Sequence, residues 1–155
     1  MSLDCNTVRG KTFVAAGEDA GRKFAHQYNL EVVFTPPDSP ADIDALFIRG
    51  SQLVGIAEIK SRAMSQPELE RFGSYLITFD KLVRGISLSK SLCVSFTLIV
   101  LLMKDDLIAY WKITDATGLL VSDIIIRPSS TQETCNGGGI VRTNAYLPYK
   151  SARII

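Results

Sequence analysis

The chain is poor in the residues on which most nucleophile and metal chemistries depend. Its 155 residues include a single histidine, His26. That solitude disfavours histidine-centred triads and His-rich metal sites, and a helix-surface position suits His26 better. The three cysteines, Cys5, Cys93 and Cys135, are odd in number and scattered, with no C-x-x-C spacing. They argue against a disulfide framework and against a zinc site, and they favour a reducing, cytoplasmic compartment. Excess charge of either sign is also missing. With a net charge of +1, contact with a nucleic acid must come from a local basic patch. The N-terminus lacks the basic start and apolar run of a signal peptide. The longest apolar stretch, residues 92–103, is interrupted by Ser95 and Thr97. It is too short to span a bilayer as a helix and reads as a buried strand. No internal repeat, low-complexity tract or linker is visible, so one domain is expected over residues 1–155. A hydrophobic fraction of 46% against 21% charged residues is an ordinary globular balance. A chain of this length buries roughly 70% of its unfolded surface.

What is present reads as alternating elements. Residues 17–29 have helical spacing, with Ala20, Gly21, Phe24, Ala25 and Tyr28 on one face. A short strand follows at 30–34, then a Pro-rich loop. Two strands, 43–49 and 52–60, flank a compact turn at Arg49-Gly50-Ser51. Ser65-Gln66-Pro67-Glu68 fits a capping box with proline in the first turn. The recurrence of Leu69, Phe72, Leu76 and Phe79 predicts a helix running on to about Lys81, with Arg71, Ser74, Thr78 and Lys81 on its polar face. Strands at 93–103 and 107–113 come next, with Trp111 in the core. The remainder reads as irregular β structure at 119–127 and 140–147, around a flexible turn at 135–139. A helix crossing between strands usually returns them parallel. The expected fold is therefore α/β, a mixed central sheet flanked by helices.

Charged residues on the apolar strands carry the chemistry. In Leu53-Val54-Gly55-Ile56-Ala57-Glu58-Ile59-Lys60, Glu58 and Lys60 are two apart and share a face. Burying such charges is costly unless they are paired or bind a metal. Pairing through the turn at Gly50 places Asp44 opposite the neighbourhood of Glu58. Two close carboxylates repel unless a cation or proton intervenes. Their hard oxygens suit Mg²⁺, which typically takes one or two carboxylates and keeps several waters. A lysine beside the ion can orient a water or offset developing negative charge. Those are the parts needed to hydrolyse a phosphodiester. Asp42 shares a strand face with Asp44, and either could serve as ligand. Asp44 is preferred because it directly precedes the apolar run.

The arrangement resembles the PD-(D/E)XK nuclease superfamily. The matching residues are Asp42-Ile43-Asp44-Ala45-Leu46-Phe47 and the strand ending in Glu58-Ile59-Lys60-Ser61-Arg62, although isoleucine stands where the family's proline precedes the aspartate. The resemblance covers residues 17–103 and implies an αβββαβ restriction-endonuclease-like core (about 17–113), with a C-terminal β extension (about 114–155). It implies that Asp44 and Glu58 hold Mg²⁺, with Mn²⁺ able to substitute, assisted by the Ile59 carbonyl, and that Lys60 serves the attacking water. Glu18, on the first helix, would be an auxiliary ligand or would support Lys60. DNA is the implied substrate. Arg62, Arg71, Ser74, Thr78 and Lys81 are candidate phosphate contacts bordering the cleft, to which Arg84 and Lys90 could add. With no separate sequence-reading module, recognition by DNA structure, a free end or a homodimer is expected. The rival reading is a nucleic-acid-binding or assembly module that keeps the fold without cutting.

Overall fold

The computed structural model describes residues 6–134 and 137–155. Cys5 and the predicted turn residues Cys135 and Asn136 lie outside them. Helix α1 spans Val8–Gln27, starting well before the expected residue 17. The Thr7 hydroxyl caps it by accepting the Gly10 N–H at 3.0 Å. Gly10 and Gly17 are poor helix formers, which hides this first half from a periodicity reading. Strands β1 (Glu31–Phe34), β2 (Ala45–Arg49) and β3 (Gln52–Arg62) follow as an antiparallel meander. The β2–β3 turn holds Gly50 and Ser51, both at positive φ, as a two-residue hairpin turn requires.

The predicted helix from Ser65 to about Lys81 is broken in three. Helix α2 is only Gln66–Phe72, with the expected capping box formed by Ser65 and Glu68. Gly73 then takes φ 74°, a left-handed cap that glycine adopts without strain. Strand β4 (Ser74–Thr78) leads into helix α3 (Phe79–Leu92). The spacing of Leu69, Phe72, Leu76 and Phe79 is thus not one helical stripe. Leu69 is buried, whereas Phe72 is 71% exposed.

Strand β5 (Ser95–Leu102) is buried along nearly its whole length and runs parallel to β3, as expected for strands joined by a helical crossover. Strand β6 (Leu107–Lys112) returns antiparallel. Residues 119–121, expected in a strand, form only an isolated bridge, Thr114 to Leu120. Strands β7 (Ile125–Thr134) and β8 (Gly137–Pro148) form a long hairpin, so residues 137–139 are strand rather than loop. A last short strand, β9 (Arg153–Ile154), closes the large sheet's edge on β6.

Among the described residues two sheets result, one of six strands ordered β1-β2-β3-β5-β6-β9 and one of three ordered β4-β8-β7. The large sheet is mixed, as expected. One of its faces packs on α1, where Ala20, Phe24 and Ala25 meet Phe47, Ile59, Ile99 and Tyr110. The other face, with Ile56, Leu98, Val100 and Trp111, packs against Leu69 of α2, Leu82 of α3 and Tyr75, Ile77 and Leu147 of the small sheet. Among the described residues no helix is long and apolar enough to cross a membrane.

Candidate active site

The register decides where the charges meet. Ala45 pairs with Ala57, and one step earlier the Asp44 N–H donates to the Ala57 carbonyl at 2.9 Å. Asp44 therefore stands across from Glu58. Strand β2 begins at Ala45, so beyond Ala57 the β2-side margin of β3 is open. An N–H left on that margin would lack a partner. The Asp44 carboxylate supplies one, its Oδ2 accepting the Ile59 N–H at 2.7 Å. The Ile59 carbonyl projects to the same side of the strand as its N–H and so faces this margin too.

Glu58 and Lys60 share the face of β3 that carries Ile56. Glu58 is the one charged side chain among the buried described residues, at 1% exposure. Its Oε1 lies 2.5 Å from Lys60 Nζ and its Oε2 3.6 Å from Lys81 Nζ. Neither oxygen has a partner in hydrogen-bond geometry among the described residues. Burial raises the Asp44 pKa above the usual aspartate value, and the Glu58 charge adds to the rise. Lys60, the Ile59 N–H and Lys81 oppose it. Burial pulls the Lys60 ammonium down, but the charges of Glu58 and Asp44 outweigh it and the net shift is upward. Lys60 is therefore a cation at neutral pH, suited to holding a water or an anionic oxygen rather than to removing a proton.

Asp44, Ile59, Lys60 and Lys81 open on a cleft of about 240 Å³, whose walls also include Glu18, Phe34 and Arg62. Glu58 is buried beside Lys60 and is not part of that lining. Two carboxylates and a backbone carbonyl form a small oxygen donor set. Among the described residues no three His, Cys, Asp or Glu side chains converge to hold a metal ion. That set is too sparse and too hard for zinc. It fits Mg²⁺, which keeps much of its hydration shell, and each Glu58 oxygen can meet its lysine and still offer a second lone pair.

A family model described as "Phage putative PDDEXK endonuclease" matches residues 15–123. The chain belongs to that family. No curated protein and no solved structure matches it. The segment matched by the endonuclease family starts within α1 and ends before β7, so it holds Glu18, Asp44, Glu58 and Lys60 but not the β7–β8 hairpin.

The remaining expected site residues are distributed unevenly. Glu18 reaches the cleft wall but also pairs with Arg22 one turn on, at 3.1 Å. Asp42 pairs with Arg84 at 3.1 Å, while Asp44 holds the β3 margin. Arg71, Ser74, Thr78 and Lys81 do not share a helical face, because they sit on α2, β4 and α3. Lys81 comes to Glu58. Thr78 and Arg62 line a second cleft beside it, of about 350 Å³. Ser74 lines a different cleft near Phe72 and Tyr146, and Arg71 is exposed on α2. The sequence reading assigned nothing to Arg142, which reaches the second cleft from β8. Its neighbourhood reads locally as an ordinary polar strand face, and no motif marks it.

Proposed function

We propose that the protein is a Mg²⁺-dependent nuclease that hydrolyses phosphodiester bonds in DNA. Support comes above all from one observation: Glu58 is buried on an apolar strand, in contact with the Lys60 and Lys81 ammonium groups and across from a second carboxylate, Asp44. The two lysines meet the Glu58 charge, and the paired carboxylates of Glu58 and Asp44 keep further lone pairs that a divalent ion could take. Asp44, Glu58 and the Ile59 carbonyl would hold the ion, and Glu18, which lines the same cleft, would contact a water of its shell. Bound Mg²⁺ would supply electrostatic stabilisation and a more acidic water. Lys60 would hold the attacking water beside the phosphorus and offset charge as that water gives a proton to solvent, its oxygen bonds to phosphorus, and the leaving oxygen, its bond broken, takes a proton from solvent. Lys81 and Arg62 offer positive charge to the neighbouring phosphate oxygens.

The test is cleavage of supercoiled and linear DNA with Mg²⁺, with Mn²⁺ and with EDTA. Wild type should cut with either metal and not with EDTA. Glu58→Ala and Lys60→Ala should abolish cutting while the circular dichroism spectrum stays native. Activity that survives both substitutions rejects the mechanism. Mg²⁺ should also raise the melting temperature of wild type and leave Asp44→Asn unchanged. One observation favours a second reading, a nucleic-acid-binding module that does not cut: Lys60 and Lys81 already neutralise Glu58. Binding without cleavage in any metal would establish that reading instead.

A further inference from the structure

The second cleft collects polar groups that the proposed chemistry does not use. Its 350 Å³ has room for roughly ten waters. Lys60, Arg62 and Lys81 form one side, and all three also line the Asp44 cleft, so the two spaces adjoin. The opposite side comes from the small sheet: Tyr75 and Thr78 of β4, Thr131 of β7 and Arg142 of β8. Buried polar atoms without partners are rare in folded proteins, yet three gather here. Tyr75 Oη, Thr131 Oγ1 and Arg142 Nε are each buried with no hydrogen-bond partner among the described residues. Tyr75 is 6% exposed. Burial and the Glu58 charge raise its phenol pKa, against the pull of Arg62 and Lys60, so the hydroxyl keeps its proton and donates.

Among the described residues, the three unpartnered groups of this cleft can all donate, and the charged side chains that line it are cationic. Glu58, beside Lys60 and Lys81, is already faced by those two lysines. A wall of this kind calls for an anion with several acceptor oxygens. We infer that the β7–β8 hairpin completes the nucleic-acid site, with Arg142 and Thr131 from the hairpin and Tyr75 from β4 binding a backbone phosphate next to the one that would be attacked at the Asp44–Glu58 site. The hairpin lies outside the segment that the endonuclease family shares. It therefore adds a phosphate contact to the shared core and fixes the direction in which the strand leaves it. The inference rests on the nuclease reading, and the test separates the two.

The experiment measures binding of a fluorescein-labelled duplex to the 155-residue chain by anisotropy, with Ca²⁺ replacing Mg²⁺, over a range of NaCl. Arg142→Gln should weaken binding about ten- to hundredfold. The slope of log affinity against log salt should become shallower by about 0.9, one phosphate contact. Tyr75→Phe and Thr131→Val should each weaken binding roughly three- to tenfold without changing that slope. If Arg142→Gln melts below wild type, the two hydroxyl variants carry the decision, since each removes a buried donor at nearly constant volume. Wild type that cuts DNA while all the folded variants bind like wild type overturns the inference alone. Wild type that neither binds nor cuts overturns the nuclease reading itself. Inorganic phosphate is the control. If it protects wild type but not Arg142→Gln from thermal unfolding while DNA affinity is unchanged, the site takes a free anion and the assignment to nucleic acid is wrong.

Discussion

The two faces of β3 differ in purpose although they come from one run of residues. Ala57 and Ile59 point toward α1 and enter an apolar layer held by aromatic contacts. There the Phe24 ring lies 4.9 Å from Tyr28 and 5.1 Å from both Phe47 and Tyr110. Ile56, Glu58 and Lys60 point the other way, toward α3 and the small sheet. The first face contributes stability by removing apolar area from water. The second gives up part of that gain, because a buried carboxylate with cations beside it is at best weak evidence of stabilisation. A strand alternates its side chains strictly, so packing and chemistry can be changed separately on neighbouring residues.

That separation can be broken by experiment. Glu58→Gln, on the charged face, should lower cleavage by roughly a thousandfold or more. Lys60 and Lys81 are part-exposed, at 34% and 38%, so water can take over and the melting temperature should stay within about 5 °C of wild type. A large loss of stability in this variant would mean that the Glu58 ion pairs hold the fold. Phe24→Ala, on the apolar face, should do the reverse. Chemical denaturation should show a loss of about 3–5 kcal/mol, while cleavage per folded molecule, assayed in the cold, stays close to wild type.

Gly73→Ala probes how the charged face receives its second layer. The left-handed cap at φ 74° costs a residue with a Cβ about 1–2 kcal/mol. Denaturation should show that loss, and an unchanged midpoint would mean that the chain reverses there by other means. The smallest expected effect belongs to the surface. Glu68 caps α2 and accepts from Lys104 Nζ at 2.7 Å, and that bond, with the Ser65 contacts, holds its pKa at about 2 against an ordinary 4.5. The folded state therefore favours the ionised carboxylate. Its stabilisation is complete above 4.5 and is lost as pH falls from there toward 2. The melting-temperature difference between wild type and Glu68→Gln should be small at neutral pH and vanish across that interval; a difference that persists at pH 2 would refute the assignment.

The pairing of Asp44 with the Glu58 region was legible because turn and alternation are local. Gly50-Ser51 sets the β2–β3 register, and register sets which residues face each other. The parallel return of β5 followed from the helical crossover. The break at Gly73 was not legible, because Leu69, Phe72, Leu76 and Phe79 fit a helix by spacing alone. The strand between the two helices exists because β8 pairs with it from some seventy residues away, Tyr75 meeting Leu147 and Ile77 meeting Ala145. Tertiary pairing overrides a short apolar periodicity.

From the sequence alone one can read an α/β chain that carries two carboxylates and a lysine on adjoining strands, since periodicity, turn chemistry and strand alternation act over a few residues. Only the tertiary structure decided that Lys81 meets Glu58, that Arg71 stays outside, and that Arg142 arrives beside Lys60. Those meetings depend on how the small sheet curls over the large one, and contacts between residues so far apart in the chain leave no local pattern to read.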